Sequence, residues 1–302
     1  SSPVHDVIIL ANPRAGAGHA QTLARRLIQD RQSGKEPLLL EPTSADQARS
    51  QLDQALTGGD QQLVVIGGDG TLHLAVNRVL ERGFGEKVNF RLLPAGSGSD
   101  FFRSLRCARR IANKPRGSGQ PPTFPVDALQ VQWADGSRRY GINTVSAGLA
   151  GDVSAAMAGS VKNGFAAYLR ATLQAFLHHR PRPFSIAIDG VPFFHGDLSL
   201  IAVTNGVYFG QGMKVAPKAE IDDGQAEIVA ARAMSRQRLF FRLLRIYLGN
   251  HLSAPYVLYR RGQEISIHHV SPSSLDIDGE HLPGGDVTIR VIPDALKFSR
   301  GS

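Results

Sequence analysis

One cysteine, Cys107, stands among 302 residues, so no internal disulfide can form and no pair of thiolates is available to a metal. That excludes disulfide-stapled secreted scaffolds and cysteine zinc modules, and makes a reducing cytoplasm the expected compartment. No apolar run approaches the roughly 18 to 20 residues that a helix needs to cross a bilayer, and no signal-peptide hydrophobic stretch opens the sequence. The expectation is a chain that can lie on a membrane but does not span it. Acidic residues are short as well: 26 Asp and Glu face 34 Lys and Arg, for a formal charge of +8. A basic balance of this size implies an anionic partner, whether nucleotide phosphate, nucleic acid or an acidic membrane surface. The basic residues are scattered, and no recognised motif interleaves them with aromatics, which argues against nucleic acid. No Gly-Lys-Ser/Thr follows a glycine loop at the Walker spacing and the dinucleotide fingerprint is missing, so P-loop and Rossmann readings fail. Internal repeats are absent too.

What is present is an ordinary globular composition, 42% hydrophobic and 20% charged. At this length two domains are the better expectation. Val7 to Ala11 is a short apolar strand, followed by the loop Asn12-Pro13-Arg14-Ala15-Gly16-Ala17-Gly18 and a helical pattern from Ala20 to Leu27. Strands at Leu38–Leu40, Leu63–Ile66 and Phe90–Pro94 alternate with helices at Ser44–Leu56, capped by Ser44 or Thr43, and with one that Gly67-Gly68-Asp69-Gly70-Thr71 opens and that runs through Leu80. Apolar strands alternating with helices predict a doubly wound, mostly parallel α/β sheet.

Around Asn113 to Pro125 the composition shifts to Lys, Pro, Gly and Ser, as in a linker. The expected division is 1–125 as a nucleotide-binding α/β domain, with residues 292–302 free to return to it, and 126–291 as a β-rich domain. Beyond the linker, short strands with turn signals predict a mostly antiparallel β domain: Ala128–Trp133, Arg139–Ala147, Phe184–Ile188, Leu198–Val203, Ala226–Ala231, Glu264–His268 and Val287–Val291. Helical stretches at Val161–Leu177 and Arg236–Leu248 interrupt it. The second sets Arg238, Arg242 and Arg245 beside apolar residues, which suits either anionic lipid or a helix with its apolar face on the core and a solvated Arg face. His178-His179 lacks a partner at metal-ligand spacing and reads as a helix end.

Two junctions carry chemistry. In Gly67-Gly68-Asp69-Gly70-Thr71 an apolar strand runs into glycines and a helix, so backbone N–H groups and the helix N-terminus are set to receive phosphate. Asp69 would repel phosphate directly and is expected to orient a metal, a metal-bound water or a hydroxyl; as an ordinary turn residue it would be a cap. Leu93 to Phe101, with Gly96-Ser97-Gly98, repeats the strand–glycine–helix pattern, and both loops would line one crevice at the sheet's edge. Near the end, Asp276, Asp278 and Glu280 alternate, which on a strand puts three carboxylates on one face. A solvated hairpin turning at Asp278-Gly279 is the competing reading.

The Asn12-Pro13 loop, Gly67-Gly68-Asp69-Gly70-Thr71, the Pro94–Phe101 segment and Asp278-Gly279-Glu280 occur in the order of the diacylglycerol kinase catalytic fold, and the chain resembles that family over nearly its whole length. The family includes bacterial diacylglycerol and phosphatidylglycerol kinases, sphingosine kinases and ceramide kinases. The Gly-Gly-Asp-Gly-Thr segment is shared with NAD kinases; the Asn-Pro and Asp-Gly-Glu segments point to the lipid branch.

The resemblance implies an NAD kinase/diacylglycerol kinase-like fold and ATP-dependent, Mg²⁺-assisted phosphorylation of a membrane-lipid hydroxyl, diacylglycerol-like first. It implies a nucleotide site of Asn12, Thr43, Gly67, Gly68, Asp69, Gly70, Thr71 and Ser97, where the family usually has threonine. Glu280 would be general base with Asp278 nearby. Mg²⁺ would sit on Asp223 and the carbonyls of Glu220 and Gln225, in a loop that otherwise reads as a polar Asx turn. The implied partner is a lipid substrate at the membrane surface, met peripherally; self-association stays open. Leu74, Ser99 and Ala17 depart from the family's acid, asparagine and lysine, and bear on nucleotide affinity. The rival readings are a soluble-substrate kinase of the NAD kinase kind and an inactive nucleotide- or lipid-binding regulator.

Overall fold

The computed structural model of the chain describes residues 4–29, 36–95, 99–108, 123–158, 165–269 and 274–299. They fall into two units, residues 1–127 with 293–302, and residues 128–292. Ser97 and residues 113–122 of the expected linker lie outside the described residues.

In the first unit β1 (Val7–Ala11), α1 (His19–Gln29), β2 (Leu38–Leu40), α2 (Ala45–Ala55), β3 (Gln61–Gly67), α3 (Asp69–Glu81), β4 (Val88–Pro94) and α4 (Asp100–Cys107) alternate. Strand order is β2-β1-β3-β4, continued by residues 297–298 of β15 (Val287–Ser299), and every pairing is parallel. β1 and β3 read as unbroken apolar runs because both faces of a parallel sheet are covered; Ile8, Leu10, Leu63, Val65 and Ile66 are fully buried. Ser44 caps α2 by accepting the Gln47 N–H at 3.1 Å, and the Gln47 Oε1 accepts the Thr43 N–H at 2.6 Å. Caps of this kind contribute about 1 kcal/mol. The last strand is fixed by Phe298, stacked on Phe90 at 5.3 Å and lying 5.7 Å from Phe101 and 6.3 Å from Phe124.

β1 has β2 on one side and β3 on the other, so the chain winds in opposite directions from β1 and from β3. Sheets wound this way place ligands in the crevice at the carboxyl ends of the two strands flanking the reversal. Here those ends are Asn12 and Gly67.

The second unit holds most of β5 (Thr123–Trp133), then β6 (Arg138–Gly141), β7 (Thr144–Gly148), α5 (Leu149–Ala158), α6 (Phe165–His178), β8 (Arg182–Ile188), β9 (Val191–Thr204), β10 (Ala226–Arg232), α7 (Arg236–Leu248), β11 (Val257–Gly262), β12 (Glu264–His269), β13 (Leu275–Ile277) and β14 (Glu280–Leu282). Its pairings are antiparallel, and β9 organises them, with residues 200–204 between β7 and β10 and residues 191–198 against β8. Ile201 and Val203 of β9 face a cluster with Val145, Ile186, Ile228, Ile265 and Ile277, whereas Leu200 packs with Leu149, Phe176 and Leu239 toward the helices.

Three departures from the sequence expectation have physical causes. The stretch 139–147 is two strands, β6 and β7, because the N–H groups of Ile142, Asn143 and Thr144 turn to the Asp278 carboxylate. Helix α5 was not expected from a run of small residues; Gly151 allows it to approach so closely that a Cβ there would lie 2.2 Å from the Ser274 carbonyl oxygen. Strand β11 and the first half of β9 were also missed, their Pro, Gly and Arg content masking the alternation.

Candidate active site

At the carboxyl edge of the parallel sheet three loops are tied to one another through the backbone. The Asn12 N–H donates to the Ile66 carbonyl at 3.1 Å, and the Ala95 N–H to the Gly67 carbonyl at 3.3 Å. Asn12 winds its own loop by accepting the Arg14 N–H on Oδ1 at 3.0 Å, and a 3-10 turn at Ala15–Gly18 follows. Gly67 is required: a Cβ there would meet the Thr71 Oγ1 at 2.8 Å. Gly68 caps α3 without a side chain, leaving the first-turn N–H groups of Gly70 and Thr71 without helical acceptors at the exposed mouth of the junction. These groups and the helix dipole make an anion site.

Asp69 does something the sequence did not show. Its carboxylate accepts the N–H of Asp100 at 2.9 Å and of Phe101 at 3.2 Å. The first residue of α3 thus caps α4; Gly96, Ser97 and Gly98 of the second glycine junction lie outside the described residues. Asp69 is thereby a strut between the two helix starts, one backbone donor on each carboxylate oxygen. Thr43 is exposed and its hydroxyl donates to Gln47 Oε1 at 2.9 Å.

In the second unit β13 and β14 form a hairpin that turns at Asp278-Gly279, with φ of 54° and 91°, the left-handed pair of a two-residue hairpin turn. The three carboxylates therefore do not share one strand face, and the chain turns at Asp278-Gly279 as in the competing reading, but the hairpin is not solvated, since Asp276 and Asp278 are buried. Asp278 is buried, and its oxygens accept the N–H groups of Ile142 at 2.9 Å, Asn143 at 2.8 Å and Thr144 at 3.0 Å. Asp278 thereby anchors the turn to the strand break at residues 142–144. Asp276 is also buried; desolvation first, then the neighbouring Asp278 and Glu280 charges, push its carboxyl up to about 7 against the pull of the Gly279 N–H at 3.0 Å. Glu280 opens β14 exposed to solvent, and its carboxylate has no hydrogen-bond or ion-pair partner among the described residues. Of the three acids it alone is free to act on a substrate.

The Asp223 carboxylate of the loop expected to hold Mg²⁺ is engaged by protein donors. Asp223 accepts the Gln225 N–H at 3.0 Å, the Asx turn, and its other oxygen takes the Arg261 guanidinium. Arg261 also lies 3.5 Å from the buried Glu227, its cross-strand partner, whose second oxygen accepts the Tyr259 hydroxyl. Burial pushes both the Asp223 and Glu227 carboxyls up, and the guanidinium already supplies the positive charge between them. In this structure the Asp223 carboxylate expected to hold the metal with the carbonyls of Glu220 and Gln225 is paired with Arg261 instead. Sequence reasoning missed Arg261 because the pairing is made across 38 residues by the β10–β11 register.

Residues 6–130 match the family described as diacylglycerol kinase catalytic domain, and residues 143–300 match the YegS C-terminal NAD kinase beta sandwich-like domain. The chain is 27% identical over 258 residues to a protein of Shewanella frigidimarina named "Probable lipid kinase YegS-like", covering 84% of this chain and 81% of that one. It is 26% identical to a Mycobacterium tuberculosis protein named diacylglycerol kinase, over 97% of this chain and 94% of the other. A crystal structure of a Bacillus anthracis diacylglycerol kinase superposes with a TM-score of 0.68 at 18% identity, covering 99% of this chain and 98% of that one, and shares the fold. A diacylglycerol kinase catalytic domain followed by a YegS-type sandwich places this chain in the lipid kinase family, phosphotransferases that act on a hydroxyl group.

Proposed function

We propose that the chain transfers the γ-phosphoryl group of ATP to the hydroxyl of a diacylglycerol-like membrane lipid. The observation that carries this reading is the division of labour in the Asp278-Gly279-Glu280 turn: Asp278 anchors it through three N–H groups, and Glu280 stands exposed, without a partner among the described residues. The names of the relatives, diacylglycerol kinase and lipid kinase, supply the acceptor class.

ATP enters as its Mg²⁺ complex, the metal being part of the substrate. The α3 junction, through the Gly70 and Thr71 N–H groups, receives phosphate oxygens, and Asp69 keeps α4 in register beside it. Glu280 takes the proton of the lipid hydroxyl as its oxygen bonds to the γ-phosphorus; the bond to the β–γ bridging oxygen breaks and ADP leaves.

The test is transfer of label from radiolabelled ATP with Mg²⁺ to mixed micelles containing diacylglycerol, sphingosine or phosphatidylglycerol, with NAD as a soluble control. Label in diacylglycerol is expected. Label in NAD alone would move the chain to the soluble-substrate reading, and ATP binding without transfer to any acceptor would make it a regulator.

A further inference from the structure

Helices α6 and α7 of the second unit share a surface that the catalytic reading does not use. On α6, Leu169, Leu173 and Leu177 recur at i, i+4 and i+8, one stripe of a helix, and each is more than half exposed. On α7, Phe240 is 59% exposed, and Phe241 and Leu248 are each 70% exposed. The two helices adjoin: the Phe176 and Phe240 rings meet edge to face at 6.1 Å, and the Arg236 guanidinium donates to the Leu177 carbonyl. Large apolar side chains exposed singly need no explanation, but six on two touching helices form a patch.

The charge on the two helices is of one sign. Neither FAAYLRATLQAFLH nor RQRLFFRLLRIYL contains an acid, while Arg170, Arg236, Arg238 and Arg245 are exposed on these helices. Arg242 instead lies over the Tyr256 ring at 4.2 Å, so α7 has an inner side fixed to its unit by that contact and by buried Leu239 and Ile246. The remaining face is apolar with an arginine rim, the composition that rests in the headgroup region of anionic bilayers. A soluble acidic protein would match the arginines but gives no reason for leucine and phenylalanine at the centre.

We propose that the α6–α7 face docks the chain on an anionic phospholipid bilayer, Leu173, Leu177 and Phe241 entering the acyl boundary and the arginines meeting phosphate headgroups. This rests on the lipid-kinase reading for its purpose, not for its observation.

The experiment is sedimentation with vesicles of phosphatidylcholine, alone or with 30% phosphatidylglycerol by composition, without ATP. Binding to the anionic vesicles is expected to exceed binding to neutral ones by roughly tenfold or more and to weaken as salt rises. Leu173→Asp with Phe241→Asp should reduce the bound fraction about tenfold, and Arg238→Ala with Arg245→Ala should reduce the preference for anionic lipid. These positions are exposed, so unchanged thermal melting and unchanged transfer to a short-chain, water-soluble acceptor should accompany the loss. Equal binding by the unmodified chain and the Asp variants would overturn the proposal, as would no binding to either vesicle. Dimerisation abolished by the Asp variants, with no vesicle binding, would assign the face to a second copy instead. Because binding is read without catalysis, absence of kinase activity leaves this result standing and overturns the functional reading alone.

Discussion

Two Asp-Gly pairs, Asp69-Gly70 and Asp278-Gly279, look interchangeable in the sequence, and in both the carboxylate serves the backbone. They differ in what the anchoring leaves open. Asp69 joins two helix starts, and the structure beside it is a set of unpaired N–H groups suited to anionic oxygens. Asp278 closes a strand break with three N–H groups, and beside it is a free carboxylate, Glu280. One acid builds a receptor for negative charge, the other holds a base in place. A motif that names an acid does not say whether that acid reacts or supports the residue that does.

The largest effect that could break this comparison is at Glu280. Glu280→Gln should lower turnover by roughly 10²–10⁴-fold while leaving ATP affinity and thermal stability unchanged. Near-wild-type turnover in the micelle assay would remove it as the base. Asp278→Ala should instead act on folding: three buried N–H groups lose a charged acceptor, at a cost of about 3–5 kcal/mol by urea unfolding. A loss of activity with unchanged unfolding would return Asp278 to the chemistry.

Asp276 sharpens the contrast through pH. Its folded-state carboxyl is raised to about 7, above the usual unfolded value, so the folded protein holds an extra proton between about pH 4 and 7. Its contribution is fully present below that window and is lost as pH rises through it, on the order of 2–4 kcal/mol. Asp276→Asn should flatten that decline in melting curves, and an unchanged pH slope would exclude it as the source. Asp69→Ala, at a partly exposed cap, should cost only about 1–2 kcal/mol, with weakened ATP binding by calorimetry as its distinguishing mark. Smallest of all, Mg²⁺ or EDTA should shift the melting temperature of the nucleotide-free chain by less than about 1 °C, because Arg261 already balances Asp223.

The alternation of apolar strands with helices in the first unit was legible because each strand is buried on both faces and each helix carries its own cap or glycine junction. Local chemistry suffices at the first junction: a side chain at Gly67 would crowd Thr71 four residues on. In the second unit strands β9 and β11 and helix α5 escaped the pattern, since their signal lies in which distant residue they face. The alternating acids show the limit most clearly. Spacing alone put Asp276, Asp278 and Glu280 on one face, and the positive φ at Asp278 turned the chain between them.

By itself the sequence determined the parallel α/β class of the first unit, the antiparallel class of the second, the glycine junctions and the family order of the motifs, because periodicity and glycine placement are local properties of the chain. Only the tertiary structure decided which acids are anchors and which is free, that Arg261 answers Asp223, and that leucines of α6 and phenylalanines of α7 share one exposed face. Those outcomes depend on hydrogen-bond donors and strand partners far away in the chain, which no local pattern records.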